Sequence, residues 1–310
     1  MAKTDFLTLN SLSQATLFKV LERAHDLKKR YKAKKFSQTL AQHVLAMIFE
    51  KSSTRTRVSF EVGIKQMGGT SIFLSNNEIG LGIREPVSDV AMVLDRLVDV
   101  IIARVYSHQS LIELSNHTSI PVINALSDIA HPCQALGDCL TIFEQKGQLQ
   151  GLSVAFIGDG NNIAGSLALA CAYSGMNFGI ASPEKYQLKP DIWKEAQEIA
   201  KENNTTMKWS SNVQDIVSNA DIVYTDVWVS MGDEEEKEER LSTFSSYQVN
   251  EKVLSLAKND CLFMHDMPAH RGEEISINML DHPNSVVYQQ AENRLHAQKS
   301  VIRNIFESSF

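Results

Sequence analysis

The sequence predicts an α/β protein of two domains, each a parallel sheet covered by helices. Three observations carry this. Apolar runs of strand length alternate with amphipathic runs of helical period along the whole chain. The alternation pauses at Gly147–Gly151 and then restarts, which places a boundary there and gives domains over 1–146 and 151–290 with a closing helix in 291–310. The chain has 310 residues, 43% of them hydrophobic, enough for about two domains and their cores.

The elements follow in order. Ser11–Arg30 reads as a helix with one apolar stripe (Leu17, Val20, Leu21, Ala24, Leu27), and Ser11 with Gln14 fits a capping box. Val44–Phe49 is wholly apolar and predicts the first strand. A helix from about Thr54 runs to Gly68-Gly69, and Thr70–Leu74 is the second strand. Pro86 suits the first position of a helix carrying Val87, Val90, Ala91, Leu94 and Leu97. Val100–Ala103 is a strand that ends on Arg104. A short helix and a strand at Pro121–Ile123 lead to a helix opened by His131-Pro132 and running to about Gln145.

In the second half, strands are expected at Val154–Ile157, Phe178–Ala181, Thr206–Trp209, Ile222–Tyr224 and Cys261–Met264. Helices are expected after Asn162 as far as Gly175, over Ile192–Glu202, over Val249–Ala257 and over Ala291–Phe306. Asp226–Arg240 turns strongly polar and ends in EEEKEER, which reads as a solvated face or a mobile loop.

Composition excludes several classes. A net charge of −7 argues against a nucleic-acid-binding surface. No apolar run approaches the roughly 18 residues of a membrane span, and the first residues lack the apolar stretch of a signal peptide. The four cysteines (Cys133, Cys139, Cys171, Cys261) show no metal-ligand spacing and are too sparse for a disulfide framework, so a reducing cytosol is expected.

Six polar clusters each follow an apolar strand run: Ser53-Thr54-Arg55-Thr56, Arg104, His131–Gln134, Gly158–Asn162, Asp226–Gly232 and His265–Pro268. Ligands in open α/β sheets bind at the carboxyl ends of strands, so six such clusters point to one site in a cleft between the domains. Each also has a plainer reading. Ser53 or His131 can simply cap a helix, Asn161-Asn162 can be a capping pair, Asp226 can close a loop turn, and Arg104 can be a surface residue. A strand, a turn rich in hydroxyls and arginine, then a helix start is suitable chemistry for a phosphate, because helix N-termini and guanidinium groups both favour anions. The segment IGDGNNIAG has two glycines of a dinucleotide fingerprint. Its third position is Ile163, and Ala181-Ser182-Pro183 supplies no acid after the next strand, so nucleotide binding is not expected.

The motifs SSTRTR at 52–57, HPCQALGD at 131–138, DVWVSMG at 226–232, PAHRGEE at 268–274 and AENRLH at 291–296 resemble those of ornithine carbamoyltransferases, in the wider group that includes aspartate carbamoyltransferases. The likeness extends from end to end. It implies two α/β domains, with the C-terminal helix packing back on the first. It implies transfer of the carbamoyl group of carbamoyl phosphate to ornithine, giving citrulline for arginine biosynthesis, in trimers or multiples of trimers, without metal or organic cofactor. Carbamoyl phosphate would be held by Ser53, Thr54, Arg55, Thr56, Arg104, His131, Pro132, Cys133, Gln134, Met267 and Arg294. Ornithine would be held by Asn162, Asp226, Ser230 and Met231. Arg55, Arg104, His131, Gln134 and Asp266 would carry the chemistry. The 226–240 segment is a candidate lid. Putrescine or an acylated ornithine is an alternative substrate, and a catalytically impaired paralogue an alternative role.

Two positions depart from the family pattern. Asp266 stands where the family usually has cysteine. A carboxylate there favours the charged amine and can also accept its proton, so an active enzyme with an altered pH optimum is expected. Gly80 stands where the family usually has a glutamine contributed across a subunit interface, and glycine has no side chain to contribute.

Overall fold

The computed structural model describes residues 3–36, 38–230, 232 and 234–307. The chain divides into two compact units. The first comprises residues 1–140 and 292–310, the second residues 141–291, so both boundaries fall within helices.

In the first unit, β1 (Val44–Phe49), β2 (Thr70–Ser75), β3 (Val100–Arg104) and β4 (Val122–Leu126) form one sheet in the order β2-β1-β3-β4. All its pairings are parallel. Helices α1 (Gln14–Lys32), α2 (Thr54–Gln66), α3 (Asn76–Ile79), α4 (Val87–Leu94), α5 (His108–Asn116) and α6 (Pro132–Lys146) connect and cover it. Leu45 to Ile48 and Val100 to Ala103 are fully buried, as a strand covered on both faces requires. Each such Leu or Ile contributes about 1.5–3 kcal/mol.

The C-terminal helix, Val287–Phe306, packs on this unit. Ser300 Oγ donates to Val20 O at 2.8 Å, Lys28 Nζ to Asn293 Oδ1 at 2.7 Å, and Lys299 Nζ to Gln66 Oε1 at 2.9 Å, while Arg23 donates to Asn304.

The second unit has a five-stranded parallel sheet, β5 (Ser153–Ile157), β6 (Asn177–Ala181), β7 (Met207–Ser210), β8 (Ile222–Thr225) and β9 (Leu262–His265), in the order β7-β6-β5-β8-β9. Its helices are α7 (Asn162–Ser174), α8 (Pro190–Glu202), α9 (Val213–Val217), α10 (Lys237–Phe244) and α11 (Glu251–Leu254), and the C-terminal helix is α12. α7 is apolar nearly all round because it is buried nearly all round.

Each sheet reverses its winding once, between β1 and β3 and between β5 and β8. The carboxyl ends flanking such a reversal are where open α/β sheets place ligands. Here they carry Ser53–Thr56 and Arg104 in one unit, and Gly158–Asn162 and Asp226 in the other.

Among the differences between expected and observed helices, four have a clear local cause. Ser11 does not cap α1: it lies in a short 3-10 turn and donates to Thr8 O at 2.9 Å, while Ser13 caps the helix by accepting from Thr16 N at 3.1 Å. α4 starts after Pro86 rather than on it and stops at Leu94, leaving Leu97 69% exposed. The expected helix over Val249–Ala257 shrinks to α11, because Val249 N bonds to Glu274 O at 2.8 Å and Asn250 supplies the helix cap. EEEKEER is the solvated face the sequence suggested, exposed over 235–239, but it forms a 3-10 turn and the start of α10 rather than a loop, and Arg240 at its end is buried.

Candidate functional site

The first unit gathers the anion-seeking residues. Ser53 caps α2: its Oγ accepts from Thr56 N at 3.3 Å and donates to Thr56 Oγ1 at 3.0 Å. Arg294, from α12, donates to the same Thr56 Oγ1 at 2.7 Å. The backbone of α12 comes so close to α6 that a Cβ on Gly137 would lie 3.3 Å from Arg294 Cα and backbone N, which accounts for the glycine in HPCQALGD. Arg55 Nε is buried and makes no hydrogen bond. Arg57 points elsewhere: it pairs with Glu61 at 2.9 Å and lies over the Phe73 ring at 3.7 Å.

Arg104 ends β3, His131 directly precedes α6 and Arg294 comes from α12, and all three are buried. Burial, then Arg294, then Arg104, hold His131 well below the ordinary histidine range, so it is a neutral imidazole at pH 7. Two guanidinium groups and a neutral hydrogen-bonding ring therefore meet beside a helix N-terminus. Gln134 Nε2 donates to the buried Asp138 Oδ1 at 2.8 Å, which fixes the amide orientation and leaves Oε1 buried without a hydrogen bond. Pro132 opens α6. The Cys133 thiol faces Asn124 O at 3.5 Å and burial pushes it up to about 12, so it is an unreactive packing group.

Gly80, at the end of α3, has a left-handed φ of 53°, and a Cβ there would approach Arg84 Cβ to 2.8 Å. The turn therefore disfavours any side chain at that position.

The second unit gathers carboxylates. Asp226 follows β8, is 5% exposed, and accepts from Asn161 Nδ2 at 2.8 Å. The same Asn161 caps α7, its Oδ1 accepting from Ile163 N and Ala164 N. Asn162 is the first residue of that helix and is half-buried, as is Ser230. Met231 lies outside the described residues.

At the end of β9, His265 Nδ1 accepts from Met267 N at 2.9 Å, and Nε2 faces the buried Glu274 Oε1 at 3.2 Å. Met267 takes a left-handed φ of 64°. Asp266 reaches back to Asp226, so that a carboxylate oxygen of each lies within 4.8 Å of the other. Burial first, then Asp266, pushes Asp226 well above the usual carboxylate range. Asp226, His265 and Asp266 have ligand-type atoms within 4.8 Å of one another. Both His265 nitrogens are already engaged, so this triad does not offer a metal three free donors.

Two residues of this unit carry roles that sequence alone did not assign. Asn161 links the helix cap to Asp226. Arg240 donates to Asp159 at 2.8 Å and to Trp228 O at 3.2 Å, and so ties α10 to the segment after β5 and to the 226–230 stretch. The glycines after β5 are structural: a Cβ on Gly160 would lie 2.3 Å from Gln187 C, so the chain itself fills the space a nucleotide phosphate would need.

Comparison with known proteins agrees with these features. Residues 4–144 match the aspartate/ornithine carbamoyltransferase carbamoyl-P binding domain, and residues 150–305 match the Asp/Orn binding domain of the same family. The ornithine carbamoyltransferase of Halalkalibacterium halodurans is 48% identical over 96% of this chain and 93% of its own length. The structure of that enzyme from Pyrococcus furiosus superimposes with a TM-score of 0.96 at 44% identity, covering 100% of this chain and 98% of the other. The anabolic enzyme of Campylobacter jejuni gives a TM-score of 0.93 at 37% identity, covering 99% and 100%. The chain belongs to the aspartate/ornithine carbamoyltransferase family.

Proposed function

We propose that the protein transfers the carbamoyl group of carbamoyl phosphate to the δ-amine of L-ornithine, giving L-citrulline and phosphate. The observation that carries this reading is the meeting of Arg104, Arg294 and neutral His131 beside the N-terminus of α2. A phosphate dianion needs cations and helix N–H groups. A carbonyl oxygen gaining negative charge needs fixed donors, and one such donor is worth about 2.7–4 kcal/mol.

In this reading the first unit holds carbamoyl phosphate through Ser53, Thr54, Arg55, Thr56, Arg104 and Arg294, with Pro132 and Cys133 lining the site through their backbone and Met267 joining from the second unit. Thr56, Arg104 and His131 face the carbonyl oxygen. Gln134 Oε1, held open by Asp138, accepts from the carbamoyl NH2 group. The second unit holds ornithine through Asn162, Asp226, Ser230 and Met231. The neutral δ-amine attacks the carbamoyl carbon, the C–O bond to phosphate breaks, and the amine's proton leaves. Asp266 brings a second carboxylate to the ornithine site beside Asp226 and gives the enzyme a pH optimum different from that of the Asp266→Cys variant.

The reaction belongs to arginine biosynthesis and takes place in the cytoplasm; the buried, free cysteines suit a reducing compartment. The protein forms homotrimers or multiples of them. Exposed apolar side chains on the first unit support assembly, among them Val58, Val62 and Ile72 on α2 and the edge strand β2, and Ile83, which is 87% exposed. Among the described residues no helix is long and apolar enough to cross a membrane.

The test is a citrulline assay with carbamoyl phosphate and, in turn, L-ornithine, acetylornithine and putrescine. Citrulline from ornithine, with little product from the other two amines, is expected. No ureido product from ornithine overturns the reading.

A further inference from the structure

We propose that Asp226 and Asp266 act as one carboxyl pair sharing a single proton, and that the pair takes up the α-ammonium of the amino-acid substrate in exchange for that proton. The inference rests on the ornithine reading and deepens it.

A carboxylate oxygen of Asp226 and one of Asp266 lie within 4.8 Å of each other, and two like charges held that close in a buried place disfavour ionising both, so one proton stays on the pair. Asp226 is 5% exposed and so has little water to stabilise a second negative charge beside it. The groups that face it are few. Asn161, from the start of α7, is uncharged and donates to Oδ2 at 2.8 Å. Asp266 opposes ionisation of Asp226, and His265 favours it to a smaller extent. His265 gives limited relief, since its Nδ1 accepts from Met267 N and its Nε2 faces Glu274. Arg240, a buried cation of this unit, is paired with Asp159. The proton therefore removes the repulsion between two carboxyl groups placed this close.

A primary ammonium can replace it. It carries the positive charge that both carboxylates lack and donates up to three hydrogen bonds in place of one. The exchange balances: the singly protonated pair and R–NH3+ become the doubly ionised pair bound to R–NH3+, and one proton passes to solvent. The α-ammonium suits this role because it stays protonated throughout the reaction, whereas the δ-amine must be neutral to attack. An acylated α-amine has no charge to exchange, so the pair also selects the free amino acid.

Proton release is measured by titration calorimetry at pH 6.5–7 in buffers of different ionisation heat, with carbamoyl phosphate saturating. The probe is L-norvaline, which is ornithine without the δ-amine, so the α-ammonium is observed alone. The wild-type protein should release up to about one proton per norvaline bound. Asp266→Asn keeps a donor to Asp226 but removes the second carboxylate, and should release clearly fewer protons than wild type. Asp266→Cys, which restores the residue usual in the family, should behave like Asp266→Asn and guards against a folding defect in the first variant. A wild-type protein that makes citrulline yet releases the same number of protons as both variants overturns the exchange alone. A wild-type protein that neither binds norvaline nor makes citrulline overturns the ornithine reading and the exchange with it.

Discussion

The candidate clusters of the two units are built alike and charged oppositely. Each lies at the carboxyl ends of parallel strands where a sheet reverses its winding, and each buries groups that prefer water. The first concentrates positive charge: burial, then Arg294 and Arg104, lower the pH at which His131 takes up a proton. The second concentrates negative charge, and burial, then Asp266, make Asp226 hold its proton to higher pH. Histidine sheds its charge and aspartate neutralises its own, so in both places the titratable group yields while arginine, which cannot be deprotonated, does not. The permanent charge that remains is the charge a phosphate seeks.

This contrast can be broken at four points, from the largest expected effect to the smallest. Arg104→Gln removes one of the two permanent cations. It should lower kcat/KM for carbamoyl phosphate by about 10³-fold, or about 4 kcal/mol, in steady-state kinetics.

His131→Asn should cost about 10²-fold in kcat and should also change stability against pH. The unfolded chain binds a proton on this histidine near its ordinary value of 6.5, which the folded protein refuses down to a lower pH. The contribution of His131 to stability is therefore full above 6.5 and declines as pH falls toward the lowered folded value. Melting curves of the variant should lose that part of the acid destabilisation.

Asp226→Asn tests the opposite sign. Here the folded state holds a proton that the unfolded chain releases above about 3.8, so stability is full below that pH and is lost as pH rises through the raised folded value. The variant should melt higher than wild type at pH 7–8, by on the order of 1 kcal/mol, and no higher near pH 4, while ornithine turnover collapses. Arg57→Ala should change kcat/KM by less than about 3-fold and stability by about 0.5 kcal/mol, because the exposed Arg57–Glu61 pair faces away from the anion site.

Much of this was legible in the sequence. Apolar runs such as Val44–Phe49 and Val100–Ala103 can only be buried strands, and the polar residues that come after them must then lie at one sheet edge. The likeness to carbamoyltransferases added the chemistry of HPCQ and SSTRTR. Local pattern was blind to choices made by tertiary contact. It could not tell that Ser13 rather than Ser11 caps α1, since both are serines before an apolar stripe. Nor could it tell that Asn161 would hold Asp226, because that bond spans 65 residues. Arg240 sits in a run of glutamates that reads as solvent-facing, and only its approach to Asp159 makes it a buried anchor. Asp266 was visible as a departure, yet its partner was not, since the sequence does not say that β8 and β9 are neighbours.

Whether the protein joins a carbamoyl group to ornithine is decided most directly by nuclear magnetic resonance. The purified protein is mixed with carbonyl-13C carbamoyl phosphate and L-ornithine, and 13C and 31P are followed together. The labelled carbon should appear as the ureido carbon of citrulline, in step with the release of inorganic phosphate. Phosphate release without labelled citrulline, or a carbamoyl phosphate signal no different from that of an enzyme-free control, would contradict the proposed reaction.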